Sequence, residues 1–235
     1  AWKKRDVLNA SEYALMINEG AINAGIAPKF SDPYSYGQGT NWQDEVFNNN
    51  APMMNHQVSV SGASEKVNYL FSLGFYTQDG IVGGNFDRSN YERLTLRSNT
   101  QYTLFDESKE RNWLNSLKVT SNRSYARIKS TNFDDNSTWG TPLGSALALS
   151  PILNVYDETE EAIKAQFDKY GTTAEYTPVY DPRNGKLFSI PGEFGEMSNP
   201  IAKLSLPGDK HWSHKFVANF SAELQLWDNL KFKTS

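Results

Sequence analysis

Apolar and polar residues alternate along much of this chain. In VNYLFSLGFYTQDG, residues 67–80, Val67, Tyr69, Phe71, Leu73 and Phe75 share one face. Asn68, Ser72, Gly74 and Gln78 fall mainly on the other, with Leu70 and Tyr76 as exceptions. A period of two predicts a strand with two unlike faces. The same reading predicts strands at HQVSVSG (56–62), YERLTLRSNTQYTL (91–104), LNSLKVTSNRSYARI (114–128) and HKFVANFSAELQLW (214–227), with another opening at LKFKTS. In 91–104, Leu94, Leu96, Tyr102 and Leu104 oppose Arg93, Thr95, Arg97, Asn99 and Gln101. In 214–227, Phe216, Ala218, Phe220, Ala222, Leu224 and Leu226 oppose Lys215, Asn219, Ser221, Glu223 and Gln225.

Helical signals lie outside these runs. NASEYALMINEGAINA, 9–24, carries a capping box from Asn9 and Glu12, and Tyr13, Met16, Ile17 and Ala21 form an apolar stripe. The alternation stops over 129–213, where 141–151 and 158–170 read as short helices and 179–188 as a small hairpin turning at DPRNG. The predicted strands run to roughly ten to fourteen residues, against about five to six in soluble sheets. That length suits a membrane-spanning strand, which needs about 9–11 residues. The connections also alternate: 62–65 short, 78–90 longer, 105–113 medium, 129–213 very long and 228–229 very short. Bacterial barrels place short turns at the periplasmic end and long loops outside. This parity makes 78–90 and 129–213 extracellular, and 1–50 part of an earlier extracellular loop. The competing expectation is a soluble β-sandwich that binds carbohydrate, with inward faces packed on a second sheet.

Composition narrows the choice. The chain has 235 residues, a mean hydropathy of -0.61 and no long apolar run, so a transmembrane helix is excluded. A barrel is not, because every second residue faces water. Aromatics reach 13%, as interfacial girdles or sugar-binding surfaces require. The net charge of -4 without a basic stripe argues against nucleic acid, and the lack of cysteine removes disulfide and thiolate chemistry. AWKKRD lacks the apolar core of a signal peptide, and LKFKTS reads as mid-strand; the expectation is a piece of a longer protein.

Particular words then carry a resemblance. TNWQDEVF, NHQVSVSGASEKVNYLFSLGFYTQDGIV and NYERLTLRSN occur in the order and spacing of the SusC/RagA-like TonB-dependent transporters. Thr40 to Asp44 match one motif, Val58 to Gly62 a second, with Ala63 where glycine is common. Asn68, Tyr69, Ser72 and Gly74 match a third, with Phe75 in place of tyrosine. Gln78, Gly80, Ile81 and Val82 match a fourth, and Leu96, Arg97 and Asn99 the last. ALALSPILNVYD, 146–157, is similar to a further stretch, with Asn154 at an expected proline. The dense match covers about 40–130.

The resemblance implies a mainly β fold. Antiparallel strands would form part of a plugged transmembrane β-barrel of about 22 strands, with helical segments in extracellular loops. Residues 51–128 would supply four barrel strands, 129–213 a long extracellular loop and 214–235 resumed strands, with the plug absent. It implies an outer-membrane importer of oligosaccharides or peptides, working with a SusD-like surface lipoprotein and the TonB complex. The wall would contact the lipid bilayer. No enzyme activity, cofactor or metal is implied.

Candidate side chains follow. Arg93 and Arg97 share the polar face, which in a barrel lines the lumen, where they would either pair with plug carboxylates or line the solute path. Asn132, Asp134, Trp139 and Tyr156 are the candidate solute contacts in the long loop, since aromatic faces stack on sugars and amides bond hydroxyls; Trp139 has packing of the loop's own core as its other reading. His211 and His214 in HWSH lack an acidic third ligand, and Asp134, Asp135 and Asn136 lack an EF-hand pattern, so no metal site is assigned. No carboxylate pair has the setting glycoside hydrolysis needs. Arg123 shares the register of Leu117 and Val119, and facing mid-membrane lipid it would cost about 2–4 kcal/mol. It is expected near an interface, or beyond a bulge that reverses its face.

Overall fold

The computed structural model describes residues 4–86, 88–106, 113–133, 140–157, 159–169, 177–191 and 197–235. They divide into two compact units, one of residues 1–51, 80–89 and 132–209, the other of 52–79, 90–131 and 210–235. The second unit is a sheet; the first gathers the segments between and before its strands.

The sheet has six strands: β1 (Met53–Ala63), β2 (Val67–Asp79), β3 (Asn90–Phe105), β4 (Ser116–Asn132), β5 (Asp209–Trp227) and β6 (Leu230–Thr234). Each is hydrogen-bonded to its neighbour in sequence, in the order β1 to β6. The defined registers are antiparallel. Alternation thus becomes two faces. Val58 lies opposite Leu73, Leu73 opposite Leu96, and Leu96 opposite Tyr125, a continuous apolar row. Ser59, Ser72, Arg97 and Ser124 make the matching polar row on the other side.

The apolar row has no second sheet over it: the described residues form one sheet, and Val58, Phe71, Leu73, Leu96, Phe216 and Phe220 are all exposed. A sandwich would bury these residues. Strands of 11–19 residues, apart from the five-residue β6, exceed the span a bilayer requires.

Two strand limits change the extent of the long interval. β4 runs on to Asn132 and β5 begins at Asp209, so the interval between them is shorter than 129–213. The backbone ladder continues where mixed side chains, such as HWSH, hide the alternation. A register shift occurs between Thr103 and Phe105 of β3, and the β3–β4 register then stays regular from Val119 to Thr131. The bulge proposed to turn Arg123 over is therefore absent, and Arg123 stays on the apolar face.

The loop unit has its own core. α1 (Ala10–Asn23) starts at Asn9, whose side chain accepts from the Glu12 amide at 2.9 Å while Glu12 accepts from the Asn9 amide at 2.9 Å. Its buried side is Ala10, Ala14 and Asn18, and the apolar stripe lies elsewhere; Met16 is 56% exposed. Small residues win because the loop that follows comes close. Asn18 accepts from the Phe30 amide and donates to the Phe30 carbonyl, at 2.9 and 2.7 Å. Gly39, at φ +65°, sits where a Cβ would fall 2.4 Å from that of Ala10 and 2.2 Å from the Pro151 carbonyl oxygen.

After a short 3-10 turn (Pro33–Tyr36) come α2 (Trp42–Val46), α3 (Pro142–Ala148), α4 (Glu160–Lys169) and α5 (Pro200–Ser205). α3 and α5 begin with proline at the first turn behind Thr141 and Asn199; Thr141 accepts from the Gly144 amide, and Asn199 from those of Ile201 and Ala202. Trp42, Val46, Val82, Ala146, Leu149, Phe188, Ile201 and Leu204 form the core. No helix among the described residues is long and apolar enough to cross a membrane.

Candidate functional site

The polar sheet face places Arg93 and Arg97 two alternations apart on β3, about 13 Å along the strand. Arg97 lies between Ser72 on β2 and Ser124 on β4; Arg93 lies between Tyr76 and Ile128. The small neighbours leave Arg97 exposed, as is Arg93. The Arg93 guanidinium sits 5.7 Å from the Tyr76 ring centre. Tyr76 donates to Gln78 Oε1 at 2.5 Å and meets Tyr91 edge-on. Next to Arg97, Ser59 donates to Ser72 Oγ at 3.0 Å and Gln57 donates to it at 3.2 Å. No ion pair among the described residues involves either arginine. The face thus offers two uncompensated cations in a hydroxyl- and amide-rich field, a surface suited to carboxylates or polar solutes.

In the loop unit, Tyr156 belongs to a buried polar cluster. Asp181 is 0% exposed. Arg183 donates to it through Nη2 at 2.7 Å, through Nε at 3.0 and 3.2 Å, and through its own amide at 2.8 Å. The Tyr156 hydroxyl donates to Asp181 Oδ2 at 2.7 Å and accepts from Asn184 at 3.2 Å. Arg183 also donates to the Gly84 carbonyl at 2.9 Å and lies 3.8 Å from the Phe86 ring centre. The Arg183 hydrogen bonds hold the Asp181 carboxyl down at about 2 in spite of burial, which opposes ionisation. Burial, then the Asp181 carboxylate, pushes the Tyr156 hydroxyl up. The Asp181 hydrogen bond raises Arg183 further. The Tyr156 ring stacks on Phe188 at 5.3 Å, with Lys186 Nζ at 5.5 Å.

Asn132, an exposed residue, ends β4. Among the described residues no hydrogen bond or ring contact joins it to Tyr156. Asp134 and Trp139 lie outside the described residues, as do Asp135 and Asn136. His211 and His214 both fall within β5 rather than before it, three residues apart, and alternation sends them to opposite faces. His214 Nδ1 instead lies 2.8 Å from the Tyr125 hydroxyl. No group of three or more His, Cys, Asp or Glu among the described residues could hold a metal.

Sequence reasoning missed three contributors. DPRNG reads as a turn, yet its Asp181 and Arg183 build the polar cluster. Arg88 donates to the carbonyls of Leu204 and Ser205 at 2.7 and 2.6 Å, closing the end of α5. Trp42, matched only as part of a motif, is 2% exposed and donates to the Ser150 carbonyl at 3.0 Å. Only the pairing of Asn199 with Pro200 signalled α5.

No family model matches the chain. It is 28% identical over 230 residues to the TonB-dependent receptor SusC of Bacteroides thetaiotaomicron, covering 94% of this chain and 19% of that protein. It is 31% identical over 215 residues to the TonB-dependent receptor P26 of Formosa agariphila, covering 91% of this chain and 17% of the receptor. The chain therefore spans about one fifth of the length of the curated relatives it matches. Among solved structures, the RagAB peptide transporter superposes with a TM-score of 0.60 at 17% identity, over 97% of this chain and 25% of that one. The RagAB peptide importer in its open-open state gives 0.53 at 20% identity, over 99% and 22%. These likenesses to solved structures establish the fold.

Proposed function

Because this chain is SusC/RagA-like, a segment of a TonB-dependent transporter of the outer membrane, we propose that β1 to β6 are wall strands of its barrel and that 1–51, 80–89 and 133–208 are extracellular loops. The whole protein imports oligosaccharides or peptides by gated passage rather than bond chemistry. Solute is held between a SusD-like lipoprotein lid and a plug, and TonB supplies the energy through a segment outside these residues. The supporting observation is the single sheet, with one exposed apolar face, one polar face and strands long enough to span a bilayer. Its neighbour-to-neighbour antiparallel order is that of an up-and-down wall.

The test is a series of single cysteines across 67–77, spin-labelled in the full-length protein in bilayers. Oxygen accessibility is expected to oscillate with period two, high at Tyr69, Phe71 and Leu73 and low at Asn68, Ser72 and Gly74. Equal accessibility at both sets would end the wall assignment.

On this reading Arg93 and Arg97 face the lumen, and Asn132, Asp134, Trp139 and Tyr156 are the loop residues proposed to meet solute. The double substitution Arg93→Gln/Arg97→Gln removes two charge-assisted donors and is expected to change one readout by about tenfold. If the arginines hold plug carboxylates, the plug becomes protease-sensitive at unchanged uptake KM. If they line the path, KM rises while the plug stays resistant. No change in either would remove them from the lumen.

A further inference from the structure

Arg123 does not stand alone on the apolar face. Alternation along β4 puts Arg123, Arg127 and Lys129 on it, in line with Val119 and Tyr125. Aromatic residues of β5 receive them. The Arg123 guanidinium lies 5.2 Å from the Phe220 ring centre, that of Arg127 lies 4.8 Å from the Trp212 ring centre, and Lys129 Nζ lies 5.7 Å from the same ring. Lys129 pairs with Glu92 at 3.6 Å. No ion pair among the described residues involves Arg123 or Arg127. Three cations against one carboxylate leave this patch with an excess of positive charge.

Such charges are out of place on a surface that meets hydrocarbon, and stacking on aromatic rings offsets little of that cost. Their position supplies the reason. Lys129 and Arg127 lie at the end of β4 that leads into 133–208, and Glu92 and Trp212 lie at the matching ends of β3 and β5. Phe75, Leu94, Arg127, Lys129 and Trp212 line one groove there. The neighbouring groove is lined by Val58, Val60, Phe71, Leu73, Leu96 and Phe216, with Arg123, Arg97 and the serines Ser72 and Ser98 also contributing. A row of cations bordering an exposed apolar groove is complementary to a lipid that carries a phosphate.

We propose that Arg127 and Lys129, set against Trp212, bind the phosphate of an anionic outer-leaflet lipid whose acyl chains lie along the Val58–Phe71–Phe216 groove. Arg127 and Lys129 are about 7 Å apart along β4, close enough for one phosphate to bridge them. This inference rests on the wall reading above.

The test places the full-length protein in nanodiscs of dioleoylphosphatidylcholine and titrates in dioleoylphosphatidic acid, with inorganic phosphate as a parallel probe. Quenching by bromine-labelled acyl chains reports lipid residence near Trp212. Phosphatidic acid is expected to be preferred over phosphatidylcholine by about tenfold or more, at about a factor of five per cation. In Arg127→Gln/Lys129→Gln the preference should fall to near unity. Arg127→Lys should keep most of it, and Lys215→Gln, on the opposite face, should leave it intact. Equal affinity for the two lipids in the unsubstituted protein would overturn the proposal. So would a preference retained in the double variant, or full competition by inorganic phosphate. Oxygen accessibility at Leu73 in the same discs separates the two levels: lipid access without anion preference defeats this inference alone, and no lipid access defeats the wall reading.

Discussion

Replacing Arg183 by alanine is expected to lower the stability of the loop unit by about 2–3 kcal/mol, because the buried Asp181 carboxylate loses its charge-assisted hydrogen bonds, while the Arg183 side chain itself is partly exposed. Asp181 is fully buried and takes four of its contacts from Arg183, counting the amide. The substitution leaves that carboxylate with the Tyr156 hydroxyl and one backbone amide. It also frees the Gly84 carbonyl and uncovers Phe86. Native-state hydrogen exchange in the full-length protein reads the effect: protection of amides around 177–191 should fall by about a hundredfold. Unchanged protection would mean that the cluster does not hold the unit together.

The same pair sets an acid limit. The folded Asp181 carboxyl titrates at about 2, against 3.8 for the ordinary group. A lowered folded value means stability that is full above about pH 4 and lost as pH falls through 2. The shift corresponds to about 2 kcal/mol. Exchange protection of the unit should therefore weaken across that window, and Arg183→Ala should flatten the dependence.

Trp42→Ala is expected to cost about 3–5 kcal/mol, combining lost burial with an unfilled cavity. The indole belongs to the core that joins α2 to α3 and α5, and its N–H holds the Ser150 carbonyl. Trp42→Phe keeps most of the volume and should lose only the hydrogen bond, about 1–3 kcal/mol with the carbonyl left unmet. Limited proteolysis of the full-length protein should cut within 140–157 much faster for the alanine variant than for the phenylalanine one. Equal cleavage of both would shift the weight from packing to the hydrogen bond.

Strand pattern and registered structure agree most closely where alternation is strong. Leu73 and Leu96 were each legible on the apolar face of their own strand, because period two is a property of each strand alone; that they join Tyr125 in one row came from the pairing. The capping box of α1 was equally local. The buried side of that helix was not. Met16 and Ile17 look like core residues, but burial depends on what arrives from elsewhere, and the loop at Phe30–Gly39 comes up against Ala10, Ala14 and Asn18. The candidate site divides in the same way. Arg93 and Arg97 were readable as neighbours on one strand. Asp181 and Arg183 were not, because their partners Tyr156 and Gly84 lie 25 and 99 residues away.

By itself, the sequence determined strands with two chemically opposed faces, the helix cap and the likeness to SusC/RagA-like transporters, since each is written in local spacing or short words. Tertiary structure alone decided three things. It kept Arg123 on the apolar face by placing the register shift at Thr103/Phe105. It assembled Arg127 and Lys129 over Trp212. It made the DPRNG turn, present as expected, also an anchor of the loop unit through Asp181 and Arg183. Each of these depends on which distant backbone carbonyl, ring or carboxylate comes within a few ångströms, and no periodicity along a single segment encodes that.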